Sequence, residues 1–277
     1  MWFQKYTVRE RETLPMSPIN IAVFIKQVPD NTKLQFNEIG PVLEGVSMML
    51  NPYDEYALET ALRLKEAGGE GSTLTVISQG ASSAKEIVKK AIAVGADQAF
   101  LINDAQLEGT DSTGAAKVLN QAVKTLVPEA QVLIFGQASL DSASGQVGPK
   151  VAELMNAPSL TFCKNAELNG DKLTVHRESE AGIETHEMDL PAVICMMKCD
   201  YELRGSNIKG VMKANKTPIP EKSLADLGLD ASTVAATTTI TKTWKRPDKV
   251  GGKVIDGADA PAAVGQLLEY LKESKIL

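Results

Sequence analysis

Between residues 20 and 155, short apolar runs alternate with longer amphipathic stretches, and this alternation constrains the fold more than any other feature. Four apolar runs predict buried β-strands at 20–28, 73–78, 98–102 and 131–135. The stretches between them repeat apolar side chains at helical spacing, which predicts a helix after each strand. Strand–helix alternation of this kind is typical of a parallel sheet with helices on both faces. We therefore predict a Rossmann-like, doubly wound α/β fold.

The predicted helices have recognisable ends. Asn51-Pro52 opens the first one, because asparagine can cap a helix and proline suits the first helical position. Gly68-Gly69 closes it, and Gly95 closes the second helix. The predicted helices after the first are 82–94, 112–126 and 145–155.

From about Asn165 the pattern changes to strands joined by glycine-containing turns. Residues 168–178 and 182–198 predict an antiparallel addition to the sheet. Residues 233–244 predict an edge strand or an extended arm, and residues 260–275 an amphipathic last helix. The predicted organisation is a disordered N-terminal tail (1–18), a nucleotide-binding α/β domain (19–230) and a C-terminal arm and helix that contact a partner subunit (231–277).

Composition excludes several classes of protein. A net charge of −6 argues against nucleic-acid binding, which requires a basic surface. No apolar run approaches the roughly 20 residues of a membrane span, so membrane insertion is not expected. Three cysteines and two histidines, poorly spaced, predict neither a disulfide framework nor a metal site, and Cys195 is expected to fill the core. A reducing, cytoplasmic compartment is the expectation.

Residues 199–220 form a basic, half-apolar segment that follows an apolar strand. Its apolar members are Ile208, Val211 and Met212, and its basic members are Arg204, Lys209, Lys213 and Lys216. Such a segment can present an apolar contact within positive charge to an acidic partner. The alternative is a solvated surface helix.

The loop from Gly136 to Gly148 is the best candidate for a ligand site. Its small residues leave backbone N–H groups accessible, and Ser142, Ser144 and Gln146 add polar groups near a helix N-terminus. That combination favours a phosphate or pyrophosphate, although an ordinary strand–helix loop has the same composition. Residues 51–54 are the second candidate. We find no nucleophile–base pair, since Ser78 and Ser139 have no suitably placed histidine, and so expect no catalytic residues.

Several motifs together resemble one known family, the beta subunit of electron-transfer flavoprotein, over nearly all of residues 20–230. The matching pieces are VFIKQVPD (23–30), LNPYDEYALETALRLKE (50–66), AIAVGAD (91–97), GQASLDSASGQVGP (136–149), LTVHRE (173–178), LPAVIC (190–195) and GVMKANKTPI (210–219). Their order and spacing make the resemblance specific, whereas any one piece alone would be weak.

The resemblance implies a non-catalytic electron carrier. In that family the beta subunit pairs with an alpha subunit that holds most of the FAD, and the pair passes electrons from acyl-CoA or other flavin dehydrogenases, as in fatty acid oxidation, to a membrane-bound quinone oxidoreductase. The beta subunit also buries a nucleotide, commonly AMP. The residues implied for this nucleotide are Phe24, Asn51, Pro52, Tyr53, Asp54, Gln79, Gly136, Gln137, Ala138, Ser139, Leu140, Asp141, Ser142, Ala143, Ser144, Gly145, Gln146 and Val147.

The resemblance also gives the 199–220 segment a role as the loop that docks the dehydrogenase. Ile208 stands where the family usually has a leucine anchor, and Lys213 and Lys216 match the flanking lysines. Glu178 matches a glutamate that helps hold the flavin domain across the subunit interface.

Two features leave alternatives open. Asn31 replaces a tyrosine often found near the flavin, and the KQVPD and QVGP spellings resemble the electron-bifurcating branch, in which a second FAD replaces AMP and oxidises NADH. Residues 109–113 loosely resemble a polar loop of that branch. A stand-alone nucleotide-binding protein of similar fold is a further alternative, but it would not explain residues 199–220.

Overall fold

The computed structural model describes residues 17–37, 40–244 and 251–277. The chain divides into a larger unit, up to Gln35 and from Pro41 to Thr241, and a smaller one, Phe36–Gly40 and Lys242–Leu277. Most of the predicted N-terminal tail, residues 1–16, lies outside the described residues. None of the helices within the described ranges is long and apolar enough to span a membrane.

The helices and strands follow one another in the predicted alternation. The strands are β1 (Asn20–Ile25), β2 (Gln27–Pro29), β3 (Gln35–Phe36), β4 (Pro41–Val42), β5 (Met48–Leu50), β6 (Thr73–Gln79), β7 (Gln98–Ile102), β8 (Val132–Gly136), β9 (Ser159–Asn169), β10 (Lys172–Ser179), β11 (Gly182–Asp189), β12 (Ala192–Met196) and β13 (Glu221–Lys222). The helices are α1 (Pro52–Gly68), α2 (Lys85–Val94), α3 (Ser112–Leu126), α4 (Val147–Met155), α5 (Ile208–Lys216), α6 (Ala231–Val234) and α7 (Ala260–Glu273).

Nine strands form one sheet in the order β11-β10-β9-β12-β8-β1-β6-β7-β13. The seven strands from β9 to β13 in this order pair in parallel, and β10 and β11 add an antiparallel edge. The predicted class, a mainly parallel α/β sheet with antiparallel additions, is confirmed. The chain runs from β1 outward through β6 to β7 and then returns to the other side of β1 as β8. Connectivity therefore reverses between β1 and β8.

Both faces of the central parallel strands are buried, as their apolar sequences predict. In β1, Ile21, Val23 and Ile25 pack on one face in a cluster that includes Leu58 of α1 and Ile92 of α2. Because successive side chains of a strand point to opposite faces, Ala22 and Phe24 enter a second cluster, with residues of α3 and α4. The two layers of helices hold the parallel strands in register, so that their carboxyl ends meet along one edge.

Several sequence predictions were wrong in detail. The first strand does not continue to residue 28: it ends at Ile25, and the chain then forms β2, which pairs antiparallel with β5. Residues 182–198 contain two strands, β11 and β12, and are not a wholly antiparallel addition. Of these, β12 lies inside the parallel sheet between β8 and β9. Its uniformly buried pattern matches a parallel strand, whereas β11 alternates.

The far edge of the sheet also differs from the prediction. Residues 235–244 form no strand, so of the two alternatives only an extended arm remains. The edge position beside β7 belongs to β13, which has only two residues and therefore no periodicity that a sequence could display. The last helix ends at Glu273, two residues before its predicted end.

Candidate functional site

A large cavity opens at the carboxyl ends of β1, β6, β7 and β8, with a volume of about 1230 Å³. It lies at the point where connectivity reverses between β1 and β8, which is the usual ligand position in open α/β sheets. The loop after β8, the first turns of α3 and α4 and residues 238–240 complete its walls. All of these residues belong to the larger unit.

Two phenylalanines form an apolar part of the cavity wall. Phe24 of β1 and Phe135 of β8 stack with ring centroids 4.1 Å apart and planes inclined by 3°. Their strands are neighbours in the sheet, so both rings project from the same face. The pair provides a flat surface of the kind that suits an aromatic base or an apolar ring system.

Asn51 and Asp54, at the start of α1, form hydrogen bonds with backbone groups of the segments that line the cavity. The Asn51 side chain donates to the Asp54 carboxylate (2.9 Å) and to the Ala138 carbonyl (2.9 Å), and it accepts from the Leu140 N–H (3.1 Å). The prediction that the Asn51 side chain caps α1 was therefore wrong, although residue 51 does occupy the N-cap position. Its amide instead fixes the loop after β8.

Asp54 is a buried carboxyl group with an unusual environment. Its oxygens accept from the Lys26 backbone N–H (2.7 Å) and from Asn51. Burial raises the pKa of Asp54 to about 7, and these hydrogen bonds together with the Lys26 charge oppose the rise only in part. The Lys26 ammonium itself pairs with Asp141 at 2.6 Å. A protonated and an ionised form of Asp54 are therefore both accessible near neutral pH.

The loop from Gly136 to Gln146 is held at several points by its neighbours. Gln137 donates its backbone N–H to Met196 and accepts the Phe162 N–H on its side-chain oxygen (2.7 Å). Ala143 and Gly145 adopt positive φ, which turns the chain sharply towards α4. Gln146 occupies the N-cap of α4 without a side-chain cap bond. The first N–H groups of α4 therefore receive no acceptor from the side chain of their N-cap residue, and they suit an anion.

The cavity wall also contains a buried hydrogen-bond acceptor that a ligand could satisfy. The side-chain oxygen Oε1 of Gln79, at the end of β6, is buried and has no hydrogen-bond partner among the described residues. A buried acceptor without a donor costs free energy, which a ligand amino group would recover. With the phenylalanine surface and the uncapped helix α4, this residue set fits a nucleotide.

Most of the predicted nucleotide residues do line this cavity. The exceptions are Pro52, Tyr53, Leu140, Asp141 and Ala143, which belong to the same segments but are not part of the wall. The cavity wall also contains residues 102–105 and 107–113, Lys150 and residues 238–240, which were not among the predicted nucleotide residues. Of these, residues 109–113 had been noted as resembling a polar loop of the bifurcating branch. The residues after β7 could have been predicted, because ligands of open α/β sheets bind beyond the carboxyl ends of the parallel strands, and β7 is one of these strands.

The 199–220 segment contains α5, capped by Asn207, whose side chain accepts from the Gly210 N–H (2.8 Å). Ile208 is 81% exposed, and Val211 and Met212 are exposed as well. Not all the basic residues of this segment are available to a partner. Arg204 is bound to Glu59 and Glu66.

Two further charged residues of the predicted docking set have partners within the chain. Lys213 donates to the Ala96 carbonyl (2.9 Å) and lies 3.8 Å from Asp97. Glu178 of β10 pairs with Lys164 of β9 at 2.9 Å. Lys216 takes part in no ion pair among the described residues and is exposed.

Fold and cavity together define the class of this protein: a doubly wound α/β protein with a nucleotide-sized site at its switch point. Residues 42–227 match the family model described as the electron transfer flavoprotein domain. The chain therefore belongs to the electron transfer flavoprotein family.

Curated relatives agree over almost the whole length. The chain is 32% identical over 271 residues to an electron transfer flavoprotein subunit beta from Megasphaera elsdenii and 31% identical over 261 residues to one from Bacillus subtilis. It is also 31% identical over 267 residues to the caffeyl-CoA reductase–Etf complex subunit CarD from Acetobacterium woodii. Each alignment covers 94% of this chain and 100% of the relative.

Replacing Gly136 by alanine tests the close packing at the end of β8. A Cβ added there would overlap the Asp54 carboxylate and lie 2.9 Å from the Tyr53 backbone. We expect Gly136→Ala to lower the free energy of unfolding by about 2 kcal/mol in urea titrations, because hydrogen bonds hold the buried Asp54 carboxyl group in place and the contact with Tyr53 is to its backbone. Gly205→Ala is the matched control, since a Cβ there meets no atom within 4 Å. Equal losses in both variants would contradict the packing argument.

The raised pKa of Asp54 predicts a specific pH dependence of stability. A carboxyl group with a pKa of about 7 when folded and 3.8 when unfolded stabilises the fold fully below pH 3.8, and this contribution is lost as the pH rises through 7. In wild type, Asp54 should therefore lower the free energy of unfolding by about 2 kcal/mol between pH 5 and pH 7. The Asp54→Asn variant should lack this decline. If the free energy of unfolding of the two proteins changes with pH in parallel, the raised pKa of Asp54 is refuted.

Proposed function

We propose that this chain is the beta subunit of a heterodimeric electron transfer flavoprotein, an electron carrier without catalytic residues of its own. The observation that carries the proposal is the match to beta subunits along 94% of the chain and the full length of the relatives. Electrons would come from acyl-CoA or other flavin dehydrogenases and continue to a quinone oxidoreductase. FAD, held mainly by the alpha subunit, would supply the redox chemistry.

The cavity would bind AMP as a structural nucleotide. The loop from Gly136 to Gln146 and the uncapped start of α4 would bind the phosphate, and Asn51 would keep this loop in place through Ala138 and Leu140. The Gln79 oxygen would accept a hydrogen bond from the ligand. The stacked Phe24 and Phe135 would form the apolar wall.

The exposed side of α5 would dock the dehydrogenase. Ile208 suits the role of an apolar anchor because 81% of it is exposed and its burial in a complex would remove apolar surface from water. Lys216 would attract an acidic partner, and Lys213 would add charge while it holds α5 on the end of α2. Glu178 and the arm and helix at 231–277 would contact the alpha subunit.

An electron-bifurcating subunit is a second candidate, favoured by the cavity itself. Its volume of about 1230 Å³ exceeds the roughly 300–1,000 Å³ of typical small-molecule sites. One relative is a subunit of a caffeyl-CoA reductase–Etf complex. In this reading the cavity would hold a second FAD in place of AMP and receive electrons from NADH.

The number of flavins per heterodimer separates these functions. The chain is to be co-expressed with its alpha subunit, and the purified complex denatured so that the released flavin and nucleotide can be quantified. We expect a yellow 1:1 complex with one FAD and one AMP. Two FAD per complex would instead establish the second candidate. A colourless homodimer that binds ATP would contradict both and indicate a stand-alone nucleotide-binding protein.

Truncation of the anchor tests the docking role. Ile208→Ala should weaken docking of the dehydrogenase by about 2 kcal/mol and slow electron transfer at low carrier concentration, because a single anchor often dominates an interface. Flavin content should not change, since Ile208 is not part of the core. Leu43→Ala, which truncates another exposed apolar side chain, is the control. Loss of flavin from Ile208→Ala would show that the segment is structural instead.

A further inference from the structure

Lys150 lines the cavity and was not among the residues predicted from the sequence to bind a ligand. It lies in the first turn of α4, and its ammonium group donates to the Ser112 hydroxyl (2.9 Å) and the Thr113 hydroxyl (2.8 Å). Both hydroxyls belong to the first turn of α3. All three residues line the cavity. The ammonium group is therefore held in one place between the first turns of two helices.

Lys150 forms no ion pair with a residue in the described part of the chain, and its two hydrogen-bond partners are hydroxyl groups. Two lysines line the cavity, and the other one, Lys26, pairs with Asp141 at 2.6 Å. Lys150 forms no such ion pair, and its ammonium group has three donors, of which the two hydroxyls occupy two. One donor, on a charge that no ion pair neutralises, therefore remains for a ligand.

The carboxylate that caps α3 is already engaged by other groups. Asp111, the N-cap of α3, accepts from the backbone of Thr113 and Gly114 on one oxygen. Its other oxygen accepts from the backbone and hydroxyl groups of Thr237 and Thr238. These hydrogen bonds hold the pKa of Asp111 well below its usual range, so that it remains ionised. It reduces the local positive potential but offers no free lone pair to replace a ligand anion.

Gln146, the N-cap residue of α4, is linked to Lys150 through the Ser112 hydroxyl group. The Ser112 hydroxyl, which accepts from Lys150, donates to the Gln146 side-chain oxygen at 3.1 Å. That side chain makes no capping hydrogen bond to α4. The ammonium group and the N–H groups at the start of α4 thus lie at the same end of the cavity, where their effects on an anion add.

We propose that Lys150, positioned by Ser112 and Thr113, is the counter-charge of a phosphate group in the cavity and makes the site select phosphorylated nucleotides over nucleosides. This assignment rests on the proposed nucleotide-binding function and adds to it a residue that determines specificity. A lysine suits the role because its ammonium group interacts as a point charge and needs no fixed orientation of the phosphate.

The test compares AMP with adenosine by titration calorimetry on the heterodimer after removal of bound nucleotide. Lys150→Gln should bind AMP about tenfold more weakly than wild type, since a charge-assisted hydrogen bond is lost, and should bind adenosine equally well. Lys150→Arg should retain most of the preference for AMP. Lys124→Gln, which removes an exposed lysine at the other end of α3, should behave as wild type. If the cavity holds FAD, the matched pair is FAD and riboflavin.

The possible outcomes separate this assignment from the proposed function. If wild type binds AMP and Lys150→Gln binds it equally well, the assignment of Lys150 is wrong and the proposed function stands. If Lys150→Gln loses AMP and adenosine to the same extent, Lys150 supports the cavity rather than a phosphate, and the assignment is again wrong. If the wild-type complex binds neither nucleotide nor flavin, the proposed function fails, and the assignment fails with it.

Discussion

The contact between the end of β8 and the first turn of α1 determines the rest of the cavity. Gly136 lies so close to Tyr53 and Asp54 that residue 136 has no room for a Cβ. This approach brings Asn51 within hydrogen-bonding distance of Ala138 and Leu140, and Asp54 binds the Lys26 N–H where β1 ends. Three chain segments that are distant in sequence are thereby fixed around one buried amide and one buried carboxyl group.

The same helix connects the cavity to the docking segment. Glu59, one and a half turns after Asp54, is 3% exposed and binds both the backbone N–H and the guanidinium group of Arg204. Burial raises the pKa of Glu59, but hydrogen bonds from Arg204 and Arg63 outweigh this and hold the pKa below its usual range. A buried carboxylate of this kind is costly without its partners. The chain that leads into α5 is therefore fixed to the body of α1.

The features that depend on local sequence patterns could be predicted from the sequence. The roles of side chains whose partners are distant in the chain could not. The parallel strands and the helices α1 to α4 follow from periodicity, proline and glycine. The role of Asn51 could not follow, because its partners Ala138 and Leu140 are almost 90 residues away. Arg204 was assigned to an exposed surface for the same reason, since its partner Glu59 lies 145 residues earlier.

The packing of α5 on α2 decides which charges a partner can meet. Gly210 allows α5 to approach so closely that a Cβ there would overlap the Ala93 carbonyl. Lys213 and Lys65 then bind the carbonyls of Ala96 and Gly95 just after α2 ends, where cations are favourable. Because Lys213 is thus used in part to hold α5, Lys209 and Lys216 are the basic residues of this helix most available to a partner. The lysine that helps to fix the helix, Lys213, is thus distinct from the lysines most available to guide association, Lys209 and Lys216. Ile208 lies exposed at the start of the helix, beside Lys209.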